Sequence, residues 1–182
     1  PAGVIGTKAG ARTAAVDKFR ITITGTGRHA ARPHEGNDPI VIAGQLVTAL
    51  QTLISRNTPS ADNAVVSVTQ MHSGTTWNVI PDSAWLEGTV RTFSPATRQL
   101  IETRLRNLLN GIAAGFEAEI RLDWQAGPPP VINDAGWAGF ALQQATPSGF
   151  EAREVEASPI GEAFAFYQHQ LPGAFVMVGT GQ

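Results

Sequence analysis

The sequence has no cysteine and little charge: 13 Lys and Arg against 15 Asp and Glu in 182 residues, a formal net charge of −2. Each shortage excludes something. Without cysteine there is neither a disulfide nor a thiolate metal ligand within the chain, although the compartment stays open on that ground. The slightly acidic balance offers no basic footprint for nucleic acid, and no run approaches the roughly 20 apolar residues that cross a bilayer. What the chain does have is 42 % hydrophobic residues, enough for the core of one domain or one and a half. It opens at Pro1 with no signal-peptide pattern and closes on "FVMVGTGQ", an apolar strand entering a glycine turn. Both ends look cut, so a piece of a longer protein is expected.

Two strand patterns stand out. In "DKFRITITG", Phe19, Ile21 and Ile23 alternate with polar residues; in "FEAEIRLDW", Phe116, Ala118, Ile120, Leu122 and Trp124 do the same. Between them, "NAVVSVTQMHSG" and "SAWLEGTVRTF" are rich in β-branched residues and joined by a connection containing Gly, Asn and Pro. One helix is announced by Asp38 as N-cap and Pro39 at the first helical position. Its stripe of Ile42, Leu46, Ala49, Leu50 and Leu53 is widened by Val41, Val47 and Ile54, so it is predicted to run to Ile54 with contacts on two sides. A second helix starts at Ser94 and Pro95, buries Ile101, Leu105, Leu108, Leu109 and Ile112, and is predicted to end at Gly115. The order β-α-β-β-α-β with helices over one face makes the expected class α+β, a ferredoxin-like two-layer sandwich over residues 16–125.

"AGPPP", residues 126–130, reads as a stiff linker. Beyond it, Asp134 caps a short helix with Trp137 and Phe140, "FEAREVEAS" alternates weakly, "GEAFAFYQH" suits a helix and "GAFVMVG" a buried strand. That is part of a second α/β domain.

Two of the four histidines fall in "GTGRHAARPHEGNDP", residues 25–39. The glycine spacing loosely matches a dinucleotide fingerprint, but that motif needs a helix to begin at once, and Pro33 and the cap at Asp38 forbid it. A zinc site from His29 and His34 is weak, because the spacing fits no helical pair or short clip and no carboxylate cluster completes it. His34 reads as a loop residue bonded to turn backbone near Glu35 and Asn37. His29 differs, following two glycines where a strand leaves the sheet.

"GRHAARPH" after a strand, then "NVIP" and "GTVRTF", then "GEAFAFYQHQLPGAFVMVGTG" together resemble the di-metal amidohydrolase and peptidase family of hippurate hydrolase, N-acyl-amino-acid amidohydrolases, indole-acetyl-amino-acid hydrolases and succinyl-diaminopimelate desuccinylase. The resemblance covers nearly the whole chain and is closest in wording to hippurate hydrolase. It implies a βαββαβ lid over residues 16–125 that forms a homodimer, with 1–15 ending one segment of a zinc-peptidase catalytic domain and 126–182 starting the next. It implies that His29 stabilises the tetrahedral oxyanion in the partner subunit's active site, and that Asn78, Arg91, Gly179 and Thr180 bind an N-acyl amino acid, Asn78 and Arg91 through its carboxylate. A planar guanidinium fork suits that task; the alternative for Arg91 is a surface residue paired with Glu87. The divalent metal of the full-length enzyme, zinc or else manganese or cobalt, finds its ligands and its glutamate base outside this chain, which is expected to bind no metal and to be inactive alone. The family writes Glu-Asp-Phe where this chain has Glu162, Ala163 and Phe164, which leaves Glu162 either near the metal or a carboxylate at a helix start. A cytoplasmic location, with no nucleic-acid or membrane partner, completes the expectation. The other function class is a non-catalytic dimeric binding or regulatory module built on the same lid.

Overall fold

The computed structural model describes residues 1–181. Three strands come first: β1 (Val4–Thr7), β2 (Gly10–Thr13) and β3 (Ala15–Thr24). The short strand β4 (Arg28–His29), a 3₁₀ turn at Pro33–Glu35, α1 (Pro39–Leu50) and the single turn α2 (Thr52–Ser55) follow. Next are β5 (Ala64–Ser73), β6 (Val79–Ile80), β7 (Ser83–Thr92), α3 (Pro95–Phe116) and β8 (Glu119–Ala126). The chain continues through β9 (Val131–Asn133), α4 (Ala135–Ala145), β10 (Glu151–Glu154), α5 (Phe164–Tyr167) and β11 (Met177–Val178). It divides into two compact units, Asp17–Val90 with Ala96–Ala126, and Pro1–Val16 with Arg91–Pro95 and the segment from Gly127 on.

The first of these units has the ferredoxin-like order. Its sheet runs β5-β7-β3-β8, and β8 lies antiparallel to β3 with Phe19 opposite Trp124, Ile21 opposite Leu122 and Ile23 opposite Ile120. Period-two alternation turns those residues to one face, where they meet Ile42, Leu46 and Leu50 of α1 and Ile101, Leu105 and Leu109 of α3 in one core. Asp17 shares the inward side of β3 with no exposed surface. It survives there because the Arg98 guanidinium grips it with two bonds, Nε to Oδ2 at 2.8 Å and Nη2 to Oδ1 at 2.5 Å. On the opposite face Arg20 lies 4.1 Å over the Trp85 ring, Trp85 stacks on His72, and Glu87 holds Arg20 at 3.0 Å and Lys18 at 3.3 Å. Desolvation raises the Glu87 pKa, but the hydrogen bonds and charges of Arg20 and Lys18 outweigh it and leave the carboxyl below its ordinary value.

The helices depart from expectation at their ends. Asp38 caps α1 as predicted, its Oδ1 accepting from Ile40 N at 2.9 Å and Val41 N at 3.4 Å, a contribution of about 1 kcal/mol. The helix then breaks at Gln51 instead of running on to Ile54. Thr48, Gln51 and Thr52 turn their side chains back onto the carbonyls of Gly44, Val47 and Ala49, competing with the backbone ladder. Val41 is exposed rather than part of the core stripe. α3 ends at Phe116, past Gly115, so Phe116 closes a helix and does not open a strand. Ala118 N bonds Ala113 O and Glu117 N bonds Ala114 O, the paired bonds of a Schellman cap, and Glu117 takes the left-handed conformation at φ 49°.

The other unit is assembled from short pieces. β1 pairs parallel with β10 and antiparallel with β11, and β2 pairs with β9. The proline stretch is tied down, with Gly127 N donating to Val16 O and Val16 N to Pro128 O. Asp134 caps α4 through Trp137 N at 3.0 Å. "GAFVMVG" is not a buried strand: only Met177 and Val178 pair, and both are exposed. "GEAFAFYQH" yields one helical turn.

Candidate functional site

Elementary bonding in the loop after β3 decides where His29 goes. Its two ends are pinned close together, with Gly25 N donating to Asp82 O at 2.9 Å and Thr26 N to Asn37 O at 3.1 Å. Gly25 and Gly36 permit the approach, since a Cβ on Gly25 would fall 2.4 Å from Asn37 O and one on Gly36 2.4 Å from Thr26 O. Between these ends β4 pairs antiparallel with β6, His29 opposite Val79 and Arg28 opposite Ile80, and Ala30 N donates to Asn78 O at 3.0 Å. The structure therefore brings His29 and Asn78 side by side, from positions far apart in sequence. His29 is exposed, and its Nδ1 accepts from Ala31 N at 3.1 Å. Asn78 is half-buried, with Oδ1 3.4 Å from Thr76 Oγ1. Arg28 is fixed by Glu35 O and Gly27 O, and Arg32 reaches the Glu35 carboxylate at 3.4 Å. His34 is exposed on the 3₁₀ turn, which aims its ring outward at the Glu35 side chain, Nε2 to Oε1 at 3.9 Å, and not at turn backbone.

The remaining candidates are in the other unit. Arg91 is half-buried on β7 and lies beside Gly161, where a Cβ would come 3.7 Å from its Nη1. Glu87 is taken by Lys18 and Arg20 and does not pair with Arg91, which has no hydrogen-bond or ion-pair partner among the described residues. Two residues sharing a strand face four positions apart stand about 13 Å apart, whereas Lys18 and Arg20 come from the neighbouring strand. The Glu162 carboxylate accepts from Phe164 N at 3.3 Å, capping α5 where Ala163 offers no side-chain acceptor. Gly179 is bound through both backbone groups, its N–H to Val4 O at 2.8 Å and its carbonyl to Gly3 N at 3.2 Å. Thr180, next to it, is exposed.

Two buried residues carry weight that the sequence did not announce. Asn133, 3 % exposed, ties Thr7, Lys8 and Phe175 together with four side-chain bonds. Arg12, 1 % exposed, donates to Glu156 O and lies against the Met177 sulfur. Burial lowers the pKa of its guanidinium. Among the described residues no three His, Asp or Glu side chains converge in a group that could hold a metal ion.

Residues 15–117 match the family described as the peptidase dimerisation domain. The chain belongs to the M20 peptidase family. It is 46 % identical over 180 residues to N-acetylcysteine deacetylase of Bacillus subtilis (strain 168), covering 99 % of this chain and 47 % of that protein. It is 37 % identical over 181 residues to N-acetyldiaminopimelate deacetylase of Shouchella clausii (strain KSM-K16), covering 99 % and 48 %. Among solved structures, the YXEP protein of Bacillus subtilis, a dinuclear metal-binding peptidase of the M20 family, superposes with a TM-score of 0.80 at 41 % identity, over 99 % of this chain and 45 % of that one. The chain thus spans about half the length of these M20 relatives. The M20 match covers the elements from β3 to the end of α3, including β4 and β6 and stopping short of β8, so His29 and Asn78 both lie within it.

Proposed function

We propose that this chain is the lid, with adjoining segments of the catalytic domain before and after it, of a metal-dependent amidohydrolase that cleaves the amide bond of N-acyl amino acids. The observation that carries this reading is the antiparallel pair of β4 and β6, two strands remote in sequence, which holds His29 and Asn78 as neighbours on the unit that matches the peptidase dimerisation domain. Acyl transfer passes through a tetrahedral oxyanion, and a preorganised N–H donor such as His29 lowers that barrier. Arg91, a guanidinium without a carboxylate partner, suits a substrate carboxylate, and Thr180, beside the strand end that Gly179 holds, suits a neutral contact with substrate; Asn78 is the neutral substrate-binding group of the unit that carries His29. The names of the deacetylases above favour a small acyl group such as acetyl over the benzoyl group of hippurate. The metal centre, zinc or a similar divalent ion, belongs to parts of the subunit outside this chain, so the 182 residues alone do not turn over substrate. The protein works in the cytoplasm as a homodimer.

Dimerisation through the lid has a physical motive. β5 is a ten-residue edge strand carrying exposed Val65 and Met71, and α1 exposes Ile40 and Val41. Such an edge is a pairing template unless another chain covers it. Val65→Lys in the full-length enzyme should turn the dimer into a monomer in light scattering, and an unchanged dimer removes this surface from consideration. His29 then acts across the dimer. Full-length His29→Ala protein mixed with a protein inactivated in its metal centre should regain hydrolysis of an N-acetyl amino acid after subunit exchange. A mixture that stays dead despite proven exchange rejects action in trans. Arg91→Ala should weaken substrate binding by about 2 kcal/mol or more, and an unchanged KM rejects the carboxylate role. A full-length wild-type protein that hydrolyses no N-acyl amino acid would favour the non-catalytic dimeric module.

A further inference from the structure

We propose that the backbone N–H of Ala31 holds His29 as the neutral tautomer protonated on Nε2, which makes that amide a positioning group for the imidazole. Its functional meaning rests on the reading of His29 as an oxyanion donor; the tautomer itself does not. The argument is an accounting of donors in one tight turn. Residues His29 to Arg32 close with Arg32 N donating to His29 O at 2.8 Å, and the N–H of Ala30 is spent on Asn78 O. The N–H of Ala31 takes no backbone acceptor and goes to His29 Nδ1 at 3.1 Å. A ring nitrogen that accepts carries no hydrogen, and in a neutral imidazole the other nitrogen is then the donor. Nε2 has no partner among the described residues, on a ring that is exposed.

The charged surroundings agree. Arg28 shares β4 with His29, Arg32 ends the turn, and His34 and Glu35 lie on the 3₁₀ turn beyond it. Glu35 is the one carboxylate of this loop before the cap at Asp38, and it is engaged by Arg32 and approached by His34. The facing strand, Val79–Ile80, carries no charge. No carboxylate pairs with the His29 ring among the described residues, and a hydrogen on Nδ1 would set two N–H groups against each other. The ring therefore offers a fixed Nε2–H and no acceptor.

Two isosteres separate the two ends of the ring. Asn places Oδ1 where Nδ1 stands, so His29→Asn keeps the acceptor for Ala31 and the turn but loses the outer donor. Gln places Nε2 where the imidazole Nε2 stands, so His29→Gln keeps the donor and loses the acceptor. In the full-length metal-loaded enzyme, His29→Asn should lower kcat about a hundred- to a thousand-fold, as loss of one oxyanion donor does, and His29→Gln about an order of magnitude less. Nitrogen-15 spectra of the full-length enzyme labelled in histidine, with the His29 signals assigned by their loss in His29→Gln, should show a bare Nδ1 and a protonated Nε2 near neutral pH. A proton on Nδ1, alone or together with one on Nε2, overturns the tautomer and leaves the catalytic reading standing. An Asn variant as active as Gln or more active overturns the donor end as the working end. If Ala, Asn and Gln variants all keep the wild-type kcat, the catalytic reading fails while the spectrum still decides the tautomer.

Discussion

Phe19 and Phe140 mark the difference between the two units: the first has no exposed surface, the second leaves 54 % of its surface in solvent. The unit that holds Phe19 gathers the buried Ile, Leu and Phe residues of its inner sheet face into one cluster with those of α1 and α3. The other unit buries mainly small residues, Ala14, Ala15, Ala138, Ala145 and Ala165, and leaves Trp137, Phe140, Tyr167 and Leu171 exposed. The first unit encloses a core of large side chains while leaving Ile40, Val41, Val65, Met71 and Trp77 at its surface; the other encloses mostly small ones and leaves its large apolar side chains outside.

The comparison breaks if equivalent substitutions cost the same in both places. Phe19→Ala should destabilise the lid by about 3–5 kcal/mol, as large-to-small changes in closed cores do, whereas Phe140→Ala in this chain should stay within about 0.5 kcal/mol. Urea unfolding followed by tryptophan fluorescence measures both, and equal losses would show that Phe140 sits in a core after all. Asp17→Ala strands the Arg98 guanidinium at the edge of the lid core and should cost about 3 kcal/mol; a loss below about 1 kcal/mol would mean that solvent reaches Arg98 and relieves it. Glu117→Gly should gain about 1 kcal/mol by relieving a left-handed non-glycine residue, read as a higher urea midpoint with an unchanged slope. The smallest effect concerns Glu87. Because its pKa is depressed in the folded state, its contribution is present above the ordinary glutamate range and fades as pH falls through the lower folded value. Glu87→Gln should therefore flatten the acid limb of the lid's stability profile, and an unaltered limb would mean that Lys18 and Arg20 do not hold the carboxylate in solution.

The lid was legible because its elements are long and periodic. Phe19, Ile21 and Ile23 repeat every second residue, Ile101, Leu105 and Leu109 every fourth, and Asp38 with Pro39 fixes a start by local chemistry alone. Helix ends were less so, since breaking α1 at Gln51 depends on side chains of Thr48 and Thr52 choosing backbone carbonyls, and Glu117 supplies a conformation usually left to glycine. The other unit was hard to read because its strands are two to four residues long and their partners are remote, as with Gly10 opposite Asn133. The motifs named candidate residues one at a time. What no motif contains is the bond from Ala30 to Asn78, which joins two loops that period and propensity treat as unrelated.

The loop from Gly25 to Asp38 has a further consequence, for protein engineering. Its ends are clamped by backbone bonds at Thr26 and Asn37, by the close passages at Gly25 and Gly36 and by the cap at Asp38. Asn37 also anchors it to the residue that caps α3, through Nδ2 to Glu117 O. Nothing in that clamp depends on the side chains of Ala30, Ala31 or His34, all of which face solvent. The segment is thus a cassette whose frame and contents are separable. A library that varies those three positions and keeps both glycines, Asn37 and Asp38 samples new surfaces around His29 without reopening the fold, whereas one that spares the exposed residues and varies the glycines returns mostly chains that cannot close the loop.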